Sequence, residues 1–321
     1  MSGVVRLGFV GAGGIAERHL GVLQHFPDVE LAAFADTDAS RAALLAERHG
    51  ARAYPDAEAM IGAERLDALY ICVPPFAHGA PERAALAAGL PFFVEKPVSL
   101  DLAVGEAIAA EVARAGLATA VGYHWRYLDV LDEVRERLGH VPPPLISAYW
   151  LDSTPPPRWW WRADAGGGQV VEQATHLLDL ARALAGEAES VTALASYLPR
   201  PGFPDLDVPT AGAATIRFRS GTLMTLTNTI LLGWRHRVGF DIFGDHLAIE
   251  LTDADLTVDA GQGRSHRGTA RDPVEHEDRD FIDAVKGGPN RIRCPYPEAL
   301  ATHRLALAVV EAARTGEVVR P

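Results

Sequence analysis

The first third of the chain alternates short apolar runs with amphipathic segments. The apolar runs predict strands at Val4–Val10, Val29–Ala35, Ala68–Val73, Leu90–Val94 and Leu117–Gly122, with a short edge segment near Ala53. Helical patterns occupy the intervals at 17–26, 39–48, 81–88 and 102–115. Strands that alternate with helices at this spacing predict a parallel, doubly wound α/β sheet. We expect this first domain to cover residues 1–122.

Beyond Gly122 the pattern is mainly that of strands. Strand candidates lie at Leu145–Leu151, Val191–Leu198, Ala211–Phe218, Thr222–Leu231, Val238–Phe243, Leu247–Leu251 and Leu256–Val258. Such a run favours a large, mostly antiparallel sheet with one covered face. The polar residues 260–272 predict a loop, and two helical patterns at 274–286 and 297–314 close the chain. We expect residues 123–321 to form a second domain of the α+β class.

The composition is that of an ordinary globular protein with two domains. The 321 residues exceed one typical core, and 48% of them are hydrophobic. The formal net charge of -12 argues against nucleic acid as a partner, because binding to a phosphate backbone usually needs a basic surface.

The sequence also predicts the cellular compartment. It contains no apolar run of about eighteen residues that predicts a membrane span, and it does not begin with a secretory signal pattern. The two cysteines, Cys72 and Cys294, lie far apart and match no zinc or redox motif. We therefore expect a cytoplasmic protein with two inert thiols.

A glycine-rich turn joins the first predicted strand to the first predicted helix. Gly11 permits a tight turn, Gly13 lets the backbone approach a pyrophosphate, and Ala16 allows close packing of helix on strand. Asp36 ends the second strand, where an acid can bind the ribose hydroxyls of NAD and repel the 2′-phosphate of NADP. A plain helix cap, shared with Asp38, is the alternative for Asp36. The turn residues taken as cofactor-binding candidates are Gly11, Gly13, Gly14 and Ile15.

Two further strand ends carry unusual residues. The strand Leu90–Val94 stops abruptly at Glu95-Lys96-Pro97, and the strand before it stops at a turn that begins with Pro74 and reaches His78. Ligands of open parallel sheets bind outside the carboxyl ends of the strands, so Lys96 is a candidate for chemistry, and Pro74, His78 and Glu95 for cofactor binding. A surface lysine is the alternative interpretation of Lys96.

A third concentration of polar residues lies in the second domain. A helix predicted over 170–184 places Glu172, His176 and Asp179 at i, i+4 and i+7, on one face. A solvated polar face is the alternative. A catalytic zinc site is less favoured, because the pair Glu172 and His176 needs a distant third ligand such as His124. Hydride transfer with a nicotinamide cofactor needs no metal, and we expect none.

The segment before this helix is rich in tryptophan and arginine. Three adjacent tryptophans flanked by arginines cannot all lie in a core, so some must line a cleft or an interface. The candidates for the wall of a substrate site are Tyr123, His124, Arg126, Arg158, Trp160 and Arg162.

Together these motifs resemble the Gfo/Idh/MocA oxidoreductase family over essentially the whole chain. The resemblance rests on the turn at 11–16, on Asp36, on the 74–78 turn, on Glu95-Lys96-Pro97 and on the segment from Gly167 to Asp179. It implies an N-terminal Rossmann domain and a C-terminal domain with a large, mostly antiparallel sheet. It also implies NAD(P)-dependent chemistry on sugars, polyols and related compounds, and a homodimer or homotetramer formed through the sheet.

The resemblance further implies which residues carry the reaction. Lys96 matches the family lysine and His176 matches the family catalytic histidine. Glu172 stands where the family commonly has Asp, one methylene shorter. Val73 and Pro75 stand where many members have Thr and Asn, which indicates a subgroup with a different substrate.

The reaction expected from these residues is hydride transfer between NAD and a carbinol or carbonyl carbon. Imidazole titrates near neutral pH, so His176 is expected to act as general acid and base. Lys96 is expected to bind the reacting hydroxyl, and Glu172 to orient His176 or bind substrate. Two alternatives remain: a glycosidase that oxidises its substrate transiently with NAD, and a sensor without catalysis that keeps the dinucleotide site.

Overall fold

The computed structural model describes residues 3–321, and its first sheet contains six parallel strands. These are β1 (Val5–Val10), β2 (Val29–Ala35), β3 (Arg52–Tyr54), β4 (Ala68–Ile71), β5 (Phe92–Val94) and β6 (Thr119–Val121). They pair in the order β3-β2-β1-β4-β5-β6, and all the pairs are parallel. The expected doubly wound sheet is therefore confirmed.

Five helices connect these strands. They are α1 (Gly14–Leu23), α2 (Ala39–His49), α3 (Ala57–Ala63), α4 (Ala80–Ala87) and α5 (Leu102–Ala115). The sequence itself marks several ends: the side chains of Asp38, Asp56 and Asp101 accept backbone N–H bonds at the starts of α2, α3 and α5. Gly50 and Gly116 end α2 and α5 in the left-handed conformation. The short α3 was not expected from the sequence.

Four helices lie in the next part of the chain. They are α6 (Leu131–Arg137), α7 (Ala163–Gly166), α8 (Gln169–Glu172) and α9 (Thr175–Ala185). The prediction of one helix over 170–184 is wrong, because a turn at Gln173 and Ala174 separates α8 from α9: Ala174 N bonds to Gln169 O at 2.8 Å, and His176 N bonds to Gln173 O at 3.2 Å. The side chain of Gln169 explains where the short α8 is anchored: it donates to Thr229 O at 3.0 Å and accepts from Asn228 Nδ2 at 2.9 Å.

The second sheet contains eight strands. They are β7 (Leu145–Ser153), β8 (Ala188–Ser196), β9 (Ala211–Phe218), β10 (Leu223–Leu232), β11 (Arg237–Gly244), β12 (Leu247–Leu251), β13 (Asp255–Asp259) and β14 (Arg264–Gly268). Their order is β14-β13-β12-β11-β7-β10-β9-β8, and every pair except β7 with β10 is antiparallel. The mostly antiparallel sheet is confirmed, but the loop expected over 260–272 is wrong, because β14 lies within it. All five residues of β14 are exposed, so no apolar alternation marked the strand.

Two helices close the chain, α10 (Pro273–Val285) and α11 (Tyr296–Thr315). Packing divides the chain into one unit with the residues up to Tyr127 and Pro273–Leu300, and a second unit with Leu128–Asp272 and Ala301–Pro321. Two contiguous domains that meet at residue 122 were expected. The difference has a physical cause: Phe281 and Ile282 of α10 are buried in the same core as Phe9 and Phe93.

Each face of the first sheet has its own apolar core. One core contains Leu69, Phe92 and Ile108 with Tyr296, and the other contains Phe9, Tyr70 and Phe93 with α10. In residues 3–321 no helix is both long enough and apolar enough to cross a membrane.

Candidate active site

The turn after β1 has the shape of a pyrophosphate site. Gly11 has φ of 91°, and a Cβ there would lie 2.3 Å from the carbonyl oxygen of Cys72, so only glycine fits. Gly13 and Gly14 have no atom within 4 Å of an added Cβ, and Gly14 and Ile15 are exposed. An open turn at the N-terminus of α1 leaves room for an anion and presents backbone N–H groups to it.

The carboxylate of Asp36 lies against this turn. Its Oδ2 accepts a hydrogen bond from Ala12 N at 2.8 Å, and its Oδ1 accepts one from Asp38 N at 2.8 Å. Asp38 is the residue that caps α2, through Ser40 N at 3.0 Å. The two acids therefore have separate functions, and Asp36 lies beside the glycine turn, where a dinucleotide fits.

The turn after β4 is held by a buried contact between a histidine and a carboxylate. His78 Nδ1 lies 2.6 Å from Glu82 Oε1, and Glu82 Oε2 accepts from Gly79 N at 2.6 Å. Neither side chain of the pair is exposed. His78 thus shapes the turn from inside, while Pro74 at its start is partly exposed.

Strand register brings three of these segments to one edge. Val10, Ile71 and Val94 are paired across β1, β4 and β5, and each is the last residue of its strand. Gly11 follows the first of them, and Glu95-Lys96 follows the third. Neighbouring strands are about 4.8 Å apart, so Lys96 lies about 10 Å along the edge from the glycine turn.

Lys96 is unusual in this chain. Only two of the 30 Lys and Arg residues are lysine, Lys96 and Lys286. A chain that otherwise uses arginine for positive charge keeps an amine at this strand end, where it is partly exposed. Unlike a guanidinium, an amine can exchange its proton near neutral pH when its surroundings favour it.

His176 lies in the first turn of α9 and is 5% exposed. Its ring stacks on that of Trp150, with centroids 6.2 Å apart and planes 20° apart. Within the second unit the imidazole therefore lies nearly parallel to the indole.

Glu172 is held by a tryptophan. Its Oε2 accepts a hydrogen bond from the indole nitrogen of Trp160 at 2.8 Å. Because the helix is interrupted at Gln173, the i, i+4 relation that placed Glu172 on one face with His176 does not apply. Trp160 is 1% exposed and packs with Val208 and Ile230, so it is a core residue with a polar contact.

Asp179 is a structural residue. It is completely buried and accepts a hydrogen bond from Thr302 Oγ1 at 2.7 Å. Thr302 Oγ1 in turn accepts one from Arg182 at 2.8 Å. These bonds join α9 to α11 within the second unit.

The other substrate candidates fall into two groups. Arg158 and Arg162 are exposed and pair with Asp205 at 3.1 Å and with Asp164 at 2.7 Å. Arg126 is buried and donates to Arg293 O and to Glu298, both at 3.0 Å.

Tyr123 and His124 follow β6 directly. Tyr123 is completely buried, whereas His124 is partly exposed. The charge of His124 helps to lower the pKa of Glu95, so His124 faces the strand end that carries Lys96.

Two residues of this region, His19 and Asp278, were not expected from the sequence. Both are completely buried. His19 Nδ1 lies 2.8 Å from Asp278 Oδ1, and His19 Nε2 lies 3.0 Å from Glu95 Oε1. One signal for His19 was available: it shares the apolar face of α1 with Ala16, Leu20 and Leu23. No signal connected it to Asp278, which lies 259 residues away.

Comparison with known proteins agrees with this geometry. The profile of an oxidoreductase family with an NAD-binding Rossmann fold matches residues 5–123, and the C-terminal domain profile of the same family, GFO/IDH/MocA, matches 143–250.

Several relatives are similar over most of their length. Inositol 2-dehydrogenase of Acidothermus cellulolyticus is 28% identical over 83% of this chain and 78% of its own. A dTDP-3,4-didehydro-2,6-dideoxy-alpha-D-glucose 3-reductase of Streptomyces antibioticus is 26% identical over 97% of each chain. D-glucoside 3-dehydrogenase of Escherichia coli is 24% identical over 98% of this chain and 97% of its own.

Solved structures show the same fold. A levoglucosan dehydrogenase in complex with NADH and L-sorbose has a TM-score of 0.87 at 20% identity, over 99% of both chains. The WlbA dehydrogenase of Bordetella pertussis, in complex with NADH and UDP-GlcNAcA, has a TM-score of 0.86 at 22% identity, also over 99% of both chains. Both domain profiles, the fold and the glycine turn agree, and the chain belongs to the Gfo/Idh/MocA family of NAD(P)-dependent oxidoreductases.

Proposed function

We propose that this protein uses NAD to transfer a hydride to or from a carbinol or carbonyl carbon of a sugar or polyol, with Lys96 and His176 as its proton-handling residues. The observation that carries the proposal is the common register of Val10, Ile71 and Val94. It brings a turn suited to pyrophosphate and a rare lysine to the same edge of the sheet. The relatives named above act on inositol, on glucosides and on a nucleotide sugar, which supports the substrate class.

The proposed cofactor is NAD, with NADP less favoured. Backbone groups at Gly11, Gly13, Gly14 and Ile15 would hold the pyrophosphate, and Asp36 the adenosine ribose. Asp36 supports NAD because a fixed carboxylate repels a 2′-phosphate. Along the same edge, we propose cofactor contacts from Pro74, from the backbone of His78 and from the segment Glu95-Lys96.

A bound nicotinamide supplies the hydride acceptor or donor. When a carbinol carbon loses a hydride, its hydroxyl proton must go to a base of the protein. We assign that proton to the imidazole of His176, which lies nearly parallel to the indole of Trp150. Lys96 would donate a hydrogen bond to the reacting oxygen, where its positive charge stabilises the developing negative charge.

The proposed substrate contacts come from the polar and aromatic candidates of the sequence. Glu172 would accept hydrogen bonds from substrate hydroxyls, with its carboxylate oriented by the indole nitrogen of Trp160. His124, Arg158 and Arg162 offer exposed or partly exposed polar groups, while Tyr123, Arg126 and Trp160 would support the wall from within.

The first experiment measures absorbance of reduced nicotinamide while the purified protein and NAD or NADP meet a panel of sugars, polyols and inositols. Reduction of NAD by one polyol class, with a weaker response to NADP, is the expected result. Cleavage of a glycoside without net reduction of NAD would overturn the dehydrogenase proposal in favour of a transient-oxidation glycosidase. Tight NAD binding with no reaction across the panel would favour the sensor.

We also propose that the protein is a cytoplasmic homodimer or homotetramer. On the exposed face of the second sheet, Leu145 pairs with both Leu223 and Phe243, and all three side chains are exposed. A contiguous apolar patch of this kind supports a subunit interface. Leu223→Asp should therefore lower the mass measured by light scattering, and an unchanged mass would contradict this interface.

The two free cysteines, Cys72 and Cys294, support the proposal of a cytoplasmic location, which cell fractionation tests.

A further inference from the structure

A network of charged groups lies buried under the lysine strand end. His19 on α1 lies between two carboxylates, Asp278 on α10 and Glu95 after β5, at 2.8 Å and 3.0 Å. Asp278 also accepts a hydrogen bond from the hydroxyl of Tyr70 at 3.1 Å. All four residues are 4% exposed or less. Buried charges are costly unless they are paired, so this arrangement needs an explanation.

The two carboxylates favour the protonated form of the His19 imidazole. Burial alone would lower its pKa, but the charges and hydrogen bonds of Asp278 and Glu95 raise the pKa well above its usual value. Burial would likewise raise the pKa of Glu95, but His19 and then Lys96 and His124 lower it. These contacts therefore favour an imidazolium at His19 and a carboxylate at Glu95.

The carboxylate of Glu95 contacts both His19 and the backbone of Lys96. Its Oε1 faces His19, while its Oε2 accepts a hydrogen bond from the backbone N–H of Lys96 at 3.1 Å. The carboxylate packs directly on Gly122, where an added Cβ would lie 2.3 Å from Oε1. The carboxylate of Glu95 thus contacts His19, the backbone N–H of Lys96 and Gly122. Its orientation therefore bears on the backbone conformation at Lys96.

A metal ion is a weaker explanation of the same cluster. Ligand atoms of His19, Glu95 and Glu277 lie within 4.8 Å of one another. A metal needs a bare ring nitrogen, however, and both nitrogens of His19 lie at hydrogen-bond distance from carboxylates. The geometry therefore fits hydrogen bonds between the ring of His19 and the two carboxylates better than it fits a metal ion.

We propose that His19 and Asp278 are positioning residues for Lys96. They hold Glu95 in place and in its ionised form, and Glu95 fixes the backbone of Lys96 and sets the charge beside its amine. The inference rests on the function proposed above for Lys96. It adds that the helix carrying the dinucleotide turn, α1, and the returning helix α10 both act on the reactive lysine.

Several other titratable groups surround this network. The titratable and charged groups that face this network are Tyr70 and Cys72 at the end of β4, Lys96 after β5, His124 after β6, and Glu277 and Asp278 on α10. Burial raises the pKa of Tyr70 and of Cys72, so both stay neutral at ordinary pH. The positive charge of His19 therefore offsets Glu95, and its loss makes the surroundings of Lys96 more negative.

The test is amine labelling of the full chain without substrate. Acetic anhydride reacts with unprotonated amines. Because the chain has only two lysines, peptide mass spectrometry can measure the acetylation of Lys96 at each pH and compare it with that of Lys286. In His19→Gln the labelling midpoint of Lys96 should move to higher pH by about half a unit or more, since more negative surroundings favour the protonated amine. The midpoint of Lys286 should not move, and the Kd for NADH should stay within about threefold.

His303→Gln is the matched control, because His303 is also a completely buried histidine but lies in the second unit. It should leave the labelling of Lys96 unchanged. A folded His19→Gln protein with the wild-type Lys96 profile would overturn the inference.

A second variant keeps the test decisive if His19→Gln does not fold. Asp278→Asn preserves the shape of the side chain and an acceptor for His19 but removes a negative charge from the network, so the labelling midpoint of Lys96 should move to lower pH, by a smaller amount than in His19→Gln. A wild-type profile there would also overturn the inference. The labelling experiment needs no substrate, so it tests the positioning function of His19 and Asp278 separately from the proposed enzyme function. Unchanged turnover in Lys96→Ala would instead refute the proposed function of Lys96.

Discussion

The indole nitrogen of Trp160 donates a hydrogen bond to Oε2 of Glu172 at 2.8 Å, and this contact joins the tryptophan-rich segment to the short helix before His176. Trp160 is buried among Val208 and Ile230, so it provides a rigid donor. The carboxylate of Glu172 is therefore oriented by a side chain twelve residues earlier and not by helix spacing.

This contact leads to a prediction for substrate binding. Trp160→Phe removes the donor while keeping most of the ring, and it should raise KM about tenfold with a smaller effect on kcat, because Glu172 loses its fixed orientation. Steady-state kinetics with the substrate found in the panel checks this. Trp161→Phe, in which the lost indole bond runs to Pro155 O, is the matched control. Equal effects of the two variants would contradict an orienting function of Trp160.

Replacing Lys96 should abolish most of the chemistry. Lys96→Ala is expected to lower kcat at least about a hundredfold while NADH binding is kept, since the amine contributes to the reacting oxygen and not to cofactor affinity. Lys286→Ala, at the only other lysine, serves as the control. Stopped assays for turnover and fluorescence titration with NADH separate the two effects, and wild-type turnover in Lys96→Ala would refute the assignment.

Asp36 should govern the choice of dinucleotide. Asp36→Ser removes the carboxylate that repels a 2′-phosphate, so the preference for NADH over NADPH should fall at least about tenfold. The ratio of the two Kd values measures it directly. Asp38→Asn keeps the cap of α2 and should leave the ratio unchanged. If Asp38→Asn changed the ratio as much as Asp36→Ser, the assignment of Asp36 to the ribose would be wrong.

Two glycines of the first turn should respond differently to the same change. Gly11→Ala forces a side chain into a conformation with φ of 91° and 2.3 Å from a carbonyl oxygen, so it should destabilise the fold by about 2 kcal/mol or more. Gly13→Ala meets no atom within 4 Å and should fold normally, yet it should weaken NADH binding at least about tenfold, because the new methyl group occupies the anion's space. Thermal unfolding and NADH titration of both variants test this, and normal binding by Gly13→Ala would place the pyrophosphate elsewhere.

Asp28 should make the first unit sensitive to acid. It pairs with Arg279 at 2.9 Å and with Lys286 at 2.6 Å, and the hydrogen bond from Arg279 is the main cause that lowers its pKa. A lowered pKa means that the stabilisation is present above the unfolded value, near 3.9, and is lost as pH falls through the folded value. Asp28→Asn should cost about 1–2 kcal/mol at pH near 7, and progressively less as the pH falls below about 3.

Urea unfolding of the wild-type protein and Asp28→Asn, at pH near 7 and at pH below about 3, measures how the cost of the substitution changes with pH. Asp132→Asn is the control, because Asp132 is 82% exposed in its pair with Arg135 and should change stability little. A cost for Asp28→Asn that stayed the same in acid would contradict the ion-pair origin of the effect.

The sequence alone predicted the class of fold and the reaction. Strand and helix periodicity located all six strands of the first sheet, and the glycine turn with Lys96 indicated a nicotinamide oxidoreductase, which the family profiles confirm. These features are local: a turn, a strand end and the residues beside them follow each other in the chain. The same locality explains why seven of the eight strands in the second sheet were expected, and why the fully exposed β14 was not.

What only the tertiary structure decided depends on residues far apart in sequence. Periodicity predicted one helix through Glu172 and His176, but anchoring of Gln169 on β10 accompanies a break at Gln173, and Trp160 holds Glu172. The return of α10 to the first unit brings Asp278 to His19, across 259 residues. Such contacts arise from burial of apolar surface in a shared core, and no spacing within either segment encodes which distant partner will meet a buried polar group.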